Sequence, residues 1–268
     1  MKREIFHYSI GELVPYIDWS YFMHAWRVDK ESRQAANELK HDAMSMLKEL
    51  DGRYHTHAVF ALCNARSEED SIVAEGVTIH LLRQQHSQPG TANICLSDFV
   101  SPKEDRIGLF ATCVDKEFGA EYSQDTYMNL LAQTLADRLA EATATAVHRA
   151  VRTDRLLWGY SPNEKHTIEE LLAERNQGIR PAVGYPSLPD QSIIFTINTL
   201  LRIEEIGIEL TQNGAMSPHA SVCGIMLAHP AAHYFNIGKI SEEQLMDYSK
   251  RRGMHPDTIR KYLSKNLQ

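Results

Sequence analysis

The residue pattern predicts one domain that mixes α-helices with a β-sheet, on three observations. Two long segments, 29–50 and 125–152, carry apolar residues at steps of three and four, the period of a helix buried along one stripe. Between 54 and 114 that period gives way to short apolar runs set off by turn residues, the mark of strands. A chain of 268 residues with 43% hydrophobic content can bury one substantial core and sits near the size at which single cores stop growing. These patterns leave the pairing of the strands open.

From the N-terminus, the first residues lack the apolar run of a signal peptide, and no later window approaches the roughly 20 apolar residues of a membrane span. Segment 16–22 with Ala25 and Trp26 is the most aromatic stretch and follows neither period cleanly. Within it Asp18 reads either as a helix or turn cap or as a partly buried carboxylate for a cationic ligand group. Ala36, Leu39, Ala43, Met46, Leu47 and Leu50 then mark the first long helix, closed by Gly52. Runs at 57–63, 72–74, 77–82 and 107–114 predict strands of one sheet.

The second long helix opens at Asp125, a good N-cap, and carries Met128, Leu131, Leu135, Leu139, Ala142 and Ala146 as its stripe. At about 100° per residue, Glu141 falls well off that stripe, on a flank shared with Thr134, Thr145 and His148. It therefore faces solvent or a second packing layer, and Arg138, three residues earlier, is placed to pair with it. After a turn-rich connection at 158–164, Thr167 opens a capping box and a short helix expected to end at Gly178. Glu174 would then oppose the dipole in that helix's last turn.

Segment 177–190 holds two glycines, three prolines, Arg180 and Tyr185. Proline fixes φ and glycine admits close approach, so the loop is stiff and specifically shaped. Arg180 precedes a proline, which favours extended backbone and a projecting guanidinium able to grip a carboxylate. The backbone of Ala182, Val183 and Gly184, with Tyr185 beside it, would make a shelf for a flat ligand; the alternative is a stiffened surface connection. Beyond it, Asp190 is placed to cap a helix through Ile193, Ile197 and Leu201, followed by strands at 208–211 and 220–229. Ser221 and Gly224 in the last strand invite close approach to the backbone. Ser241 starts another capping box, and Pro256 a final short helix.

Several function classes drop out. The net charge is −7 and no basic cluster interleaves with aromatics, so a nucleic acid is not the expected partner. Four cysteines without a CxxC argue against a zinc ribbon or a disulfide framework and fit a reducing cytoplasm. Walker A, GxSxG, HExxH and GxGxxG signatures are missing. His229 and His233 stand four apart, but Pro230 breaks the helix they would need to bind a metal, and no metal site is expected. What remains is a scatter of acids, one arginine and two tyrosines, suited to a ligand with a carboxylate, an ammonium and a cation that favours aromatic faces.

Seven ordered segments carry a specific resemblance: Tyr-Ile-Asp-Trp at 16–19, Leu-Arg-Gln-Gln at 82–85, Asp-Phe-Val-Ser-Pro-Lys at 98–103, Leu-Ala-Asp-Arg-Leu-Ala-Glu-Ala at 135–142, Trp-Gly-Tyr-Ser-Pro-Asn-Glu at 158–164, Gly-Ile-Arg-Pro-Ala-Val-Gly-Tyr-Pro at 178–186 and Ala-Ser-Val-Cys-Gly at 220–224. Over nearly the whole chain the sequence resembles the activation, or S-adenosylmethionine-binding reactivation, domain of cobalamin-dependent methionine synthase. The resemblance implies an α+β fold, a curved antiparallel sheet flanked by helices, as a single domain over 1–268. It implies contacts to S-adenosylmethionine from Asp18, Glu141, Glu174, Arg180, Ala182, Gly184, Tyr185 and Tyr234, with Arg180 on the methionine carboxylate and the acids on the ammonium or ribose.

It further implies docking on a cobalamin module, with flavodoxin or a similar reductase supplying an electron, so that reduced cobalamin takes the methyl group. These residues include no cobalamin-binding DxHxxG and no zinc-type homocysteine site, so the expectation is a stand-alone subunit acting in trans on a separate methionine synthase. The chain departs from the family pattern at Gln191, at Gln212-Asn213-Gly214 and at His219. Those changes motivate an alternative, a protein that senses S-adenosylmethionine or docks without supporting methyl transfer. An independent methyltransferase is disfavoured for want of a recognisable base.

Overall fold

The computed structural model describes residues 1–29, 32–85, 90 and 92–267; positions 30 and 31, in the first expected long helix, lie outside the described residues. The chain opens with a strand, β1 (Lys2–Ser9), where the sequence suggested only a short start. No residue of β1 is buried outright, so its side chains lack the burial contrast that makes an edge strand legible. Ser9 closes a capping box with Glu12 and launches the one-turn α1 (Ile10–Leu13). The aromatic segment forms α2 (Trp19–Ala25), and the first long stripe becomes α3 (Arg33–Leu50), with Leu39, Ala43, Met46, Leu47 and Leu50 buried.

The sheet follows. Strand β2 (His55–Glu68) is its spine, then β3 (Ser71–Ala74), β4 (Val77–His80) and β5 (Asp105–Val114). All pairings in the six-stranded sheet are antiparallel. Along one edge, β2 pairs with β5 from Thr56↔Val114 to Ala65↔Asp105. Its other edge is shared, by β1 over the first half and by β3 near the end. Alternate residues of β2 enter different cores: Ala58, Phe60 and Leu62 join one, and Val59, Ala61 and Cys63 the other. Because both faces are covered, the strands read as continuous apolar runs rather than as an alternation.

Helix α4 (Thr126–Thr153) covers one face. Asp125 caps it, accepting the Met128 N–H at 3.0 Å. Its predicted stripe is buried from Leu131 onward, and Ala132, Ala136, Ala140 and Ala144 are buried beside it. Two buried hydroxyls stitch helix to sheet: Thr112 donates to the Ala140 carbonyl at 2.9 Å, and Thr143 meets Thr56 at 2.9 Å. The connection at 158–164 folds back on the helix end, where the N–H groups of Gly159 and Ser161 donate to the carbonyls of Val151 and Arg152, each at 2.9 Å.

The next helix is shorter than expected: α5 (Ile168–Leu172) has its capping box but stops at Leu172, six residues before Gly178. Glu174 therefore lies beyond the helix, with φ +54°. The cost at Glu174 is thus a left-handed backbone on a residue with a Cβ, about 1–2 kcal/mol, rather than a clash with a helix dipole. Helix α6 (Ile193–Leu201) covers the second sheet face, but its N-cap is Ser192 without a side-chain cap bond. Asp190 instead accepts from the Ser192 N–H at 2.8 Å and the Tyr248 hydroxyl at 2.8 Å, fully buried.

A small hairpin, β6 (Glu209–Leu210) with β7 (Met216–Ser217), precedes β8 (Ser221–Met226), which pairs with β5. Helices α7 (Glu242–Arg252) and α8 (Pro256–Tyr262) close the chain around a third apolar cluster. Ser241 caps α7 as expected, but Gln244 completes no box and donates to the Arg83 carbonyl at 2.9 Å. Among the described residues no helix is long and apolar enough to cross a membrane.

Candidate ligand-binding cleft

The stiff loop is an irregular strand on the outer edge of β8. Ile179 and Leu227 exchange backbone bonds at 3.0 and 2.9 Å, Ile225 donates to the Pro181 carbonyl at 3.0 Å, and Val183 donates to Cys223 at 2.9 Å. Proline is tolerated at an edge, at the loss of the one bond its N–H would have returned. A Cβ on Gly224 would stand 2.3 Å from the Pro181 oxygen and 2.8 Å from the Ala182 Cα. The close approach predicted at Gly224 is thus real, and what approaches is the chain's own loop.

Register decides which way the loop's groups point. Residues 179, 181 and 183 face β8, so the N–H groups of Arg180 and Ala182 turn outward. Arg180 N–H finds the Tyr234 hydroxyl at 3.0 Å, and Ala182 N–H has no acceptor among the described residues. Of the expected backbone shelf, then, only Ala182 offers a free donor: Val183 is spent on Cys223, and Gly184 on the Leu188 carbonyl at 2.8 Å.

These groups border a cleft of about 530 Å³ between α4, the start of α2, the end of α5, the loop and residues 234–235. Asp18, Glu141, Glu174, Arg180, Ala182, Tyr185 and Tyr234 all line it. Gly184, the eighth expected residue, does not; it holds φ +82° beside the Gln191 side chain and shapes the turn that presents Tyr185. Asp18 is also the N-cap of α2, accepting the Tyr21 N–H at 3.0 Å, so its cap role and its place in the cleft coexist.

Glu141 leaves the packed stripe, as helical geometry required, and does not pair with Arg138. Its Oε1 accepts the Tyr185 hydroxyl at 2.7 Å and its Oε2 the Arg180 Nη1 at 3.3 Å. Arg138 lies over the Tyr21 ring, 4.9 Å from its centroid. The second Arg180 nitrogen, Nη2, donates to Thr145 Oγ1 at 2.9 Å. The guanidinium stays charged: burial opposes this, but the Tyr234 oxygen and Glu141 outweigh it and raise its pKa. Burial, with the like charge of Glu141, raises the Glu174 carboxyl above its usual 4.5 against the pull of Arg180.

A smaller polar recess of about 220 Å³ shares Thr145, Glu174, Arg180 and Tyr234 with the cleft and reaches His148 and Arg152. The far wall is braced from the sheet's other end. Ser187 Oγ donates to the Phe235 carbonyl, and Gln84 donates to Asn236 at 2.8 Å. Arg83 in turn forks onto Asp98, both contacts at 2.7 Å. The motifs at 82–85 and 98–103 therefore support the cleft without entering it. Sequence reasoning singled out no ligand role for Tyr16, Tyr21 or Thr145, which also line the cleft. The aromatic density of 16–22 was the available signal for the tyrosines, and Thr145's place one turn after Glu141 was the signal for it. His229 and His233 pack against the Phe99 ring, at 6.1 and 5.6 Å between centroids, and share no helix.

Over residues 9–253 the chain matches the family described as vitamin B12 dependent methionine synthase, activation domain. It is also similar to a solved structure, described as the MetH reactivation domain bound to AdoHcy. Identity to that structure is 35% and the TM-score 0.92, over 100% of this chain and 90% of the other. The antiparallel sheet with helices on both faces is that domain's fold, including its curvature. With the match spanning all the elements that wall the cleft, the chain belongs to the activation-domain family of vitamin B12-dependent methionine synthase.

Proposed function

We infer that the cleft binds S-adenosylmethionine and that the chain presents this methyl donor to oxidised cobalamin of a methionine synthase, in support of methionine biosynthesis. The observation that carries the reading is Arg180. Its guanidinium has five donors, of which Glu141 and Thr145 use one each, and it borders a cleft whose other walls carry the carboxylates of Asp18 and Glu174. That is complementary to an amino-acid end: carboxylate on Arg180, ammonium among the acids. The free Ala182 N–H and the rings of Tyr185 and Tyr234 suit an adenosine and a sulfonium. The volume, about 530 Å³, falls in the range of about 300–1,000 Å³ usual for small-molecule sites. The likeness to a domain solved with AdoHcy supports the same class of ligand here.

Cobalamin, when reduced with an electron from flavodoxin or a similar reductase, supplies the nucleophile that takes the methyl group. These residues contain no DxHxxG and hold no part of that cofactor in this reading; their work is to bind, orient and expose the donor. Calorimetric titration of S-adenosylmethionine tests the first half, and recovery of oxidised methionine synthase on adding this chain in trans with a reductase tests the second. Saturable binding together with faster recovery is the expected result, and no binding at all would sink the reading.

One observation keeps the sensing or docking alternative in play. Two departures from the family pattern meet beside the loop, where Gln191 Nε2 donates to the Gly214 carbonyl at 2.9 Å next to Gly184. Binding without any gain in recovery would favour that alternative.

A further inference from the structure

We propose that Thr145 is a positioning residue that keeps Arg180 from closing on Glu141 as a two-pronged ion pair, and so holds the guanidinium open for a carboxylate-bearing ligand. The proposal rests on the reading of the cleft as an S-adenosylmethionine site. An arginine beside a glutamate tends toward the fork, two parallel N–H···O bonds, because that geometry matches both groups. This chain contains that outcome elsewhere: Arg152 grips Glu164 through Nε and Nη2, both at 2.8 Å. Arg180 does not. It touches Glu141 through one nitrogen at 3.3 Å, and its other terminal nitrogen is drawn to Thr145 at 2.9 Å.

Two contacts keep the pair apart, one acting on each partner. On the carboxylate, Oε1 is taken by the Tyr185 hydroxyl at 2.7 Å. On the arginine, Thr145 takes Nη2. The Thr145 hydroxyl donates its own proton to the Glu141 carbonyl, one turn back at 3.1 Å, so its lone pairs are turned to the guanidinium. As a neutral acceptor, Thr145 fixes the orientation of Arg180 without adding a charge that would compete with the ligand. Its place one turn after Glu141 on α4, with 8% of its surface exposed, sets both acceptors on one rigid face.

The test compares wild type, Thr145→Val and Thr145→Ser. Valine keeps the shape and removes the acceptor; serine keeps the acceptor. Each is titrated with S-adenosylmethionine and with 5′-methylthioadenosine, which has the adenosine and sulfur but no amino-acid carboxylate. The valine variant should bind S-adenosylmethionine about tenfold more weakly and methylthioadenosine within about twofold of wild type, with serine restoring most of the affinity. A crystal structure of the valine variant should have Arg180 Nη2 swung off position 145 and closer to Glu141, short of a full fork while the Tyr185 hydroxyl still holds Oε1. Unchanged S-adenosylmethionine affinity, or equal weakening for both compounds, would overturn the proposal, as would a valine structure with Arg180 unmoved. If the unaltered chain takes no S-adenosylmethionine, the cleft reading falls, while the Arg180 geometry in the valine variant still decides the positioning role.

Discussion

Two arginine–glutamate pairs hang on α4, about three turns apart, and they are built differently. Arg152 and Glu164 are 2% and 3% exposed and joined by two bonds of 2.8 Å; Arg180 and Glu141 are 21% and 23% exposed and joined by one of 3.3 Å. The first pair satisfies itself and ties the connection at 158–164 to the helix end. The second leaves donors over, and its carboxylate is shared with a tyrosine. Residue type alone does not separate a self-satisfied pair from one with donors to spare; the number of bonds and the depth of burial do. Breaking the buried pair tests this most severely. Glu164→Ala strands a buried guanidinium and should lower stability by about 3–5 kcal/mol, read from the denaturant midpoint. Ligand affinity of the fraction that remains folded should change little; a mild stability effect would mean Arg152 finds other partners and the contrast is overdrawn.

The converse change is Arg180→Ala. Losing a charge-assisted contact should weaken S-adenosylmethionine binding by about 1.5–3 kcal/mol, roughly 10- to 150-fold, with a far smaller shift in the unfolding midpoint. Equal losses of stability and binding would place Arg180 among the structural residues. Between these extremes lies the edge that carries Arg180. In Gly224→Ala the new methyl meets backbone at 2.3 and 2.8 Å, so loop or strand must shift, costing about 1–3 kcal/mol. Calorimetry on that variant should register weaker binding although no ligand-facing group has changed. Retained affinity would mean the loop keeps its shape when lifted from the sheet.

Much of the frame was legible in the sequence because it follows from periodicity and caps. The stripe of α4, the cap at Asp125, the apolar runs of the sheet and the small residue at 224 all have local physical causes. Glu141 was placed off the packed face by helical geometry alone. Its partners were not, since Arg180 is 39 residues away and the nearer Arg138 was the local candidate. A long-range pair leaves no period. Strand β1 was missed for want of a buried face, and the early end of α5 because the capping box announces a start and carries no information about length. The resemblance supplied the list of cleft residues, and the fold then explained why seven of the eight face one space while Gly184 shapes the turn.

His148 connects the two pairs and gives the smallest and most diagnostic effect. It is 3% exposed, meets the Tyr160 hydroxyl at 3.0 Å, and its pKa is held well below 6.5 by burial first, then by the charges of Arg152 and Arg180. The folded chain therefore keeps His148 neutral at a pH where the unfolded chain has already protonated it. Below about pH 6.5 the unfolded state binds the extra proton, so stability falls as pH drops, by at most about 1.4 kcal/mol per unit from this residue, and is unaffected by it above that range. Denaturant midpoints on either side of that pH should reveal the slope in wild type and a shallower one in His148→Gln, which keeps a polar end toward Tyr160; the part that stays includes His80, whose pKa burial also lowers. The charge of Arg152 is met by Glu164 in a two-bond fork, whereas that of Arg180 is met by one longer contact to Glu141 and leaves donors free for the proposed ligand's carboxylate. Saturating S-adenosylmethionine should therefore ease the repulsion from the Arg180 side, raise the folded-state pKa of His148 and so end this residue's loss of stability at a higher pH, beyond the usual gain from binding. A slope that survives His148→Gln unchanged would assign the proton elsewhere and leave the two pairs unconnected.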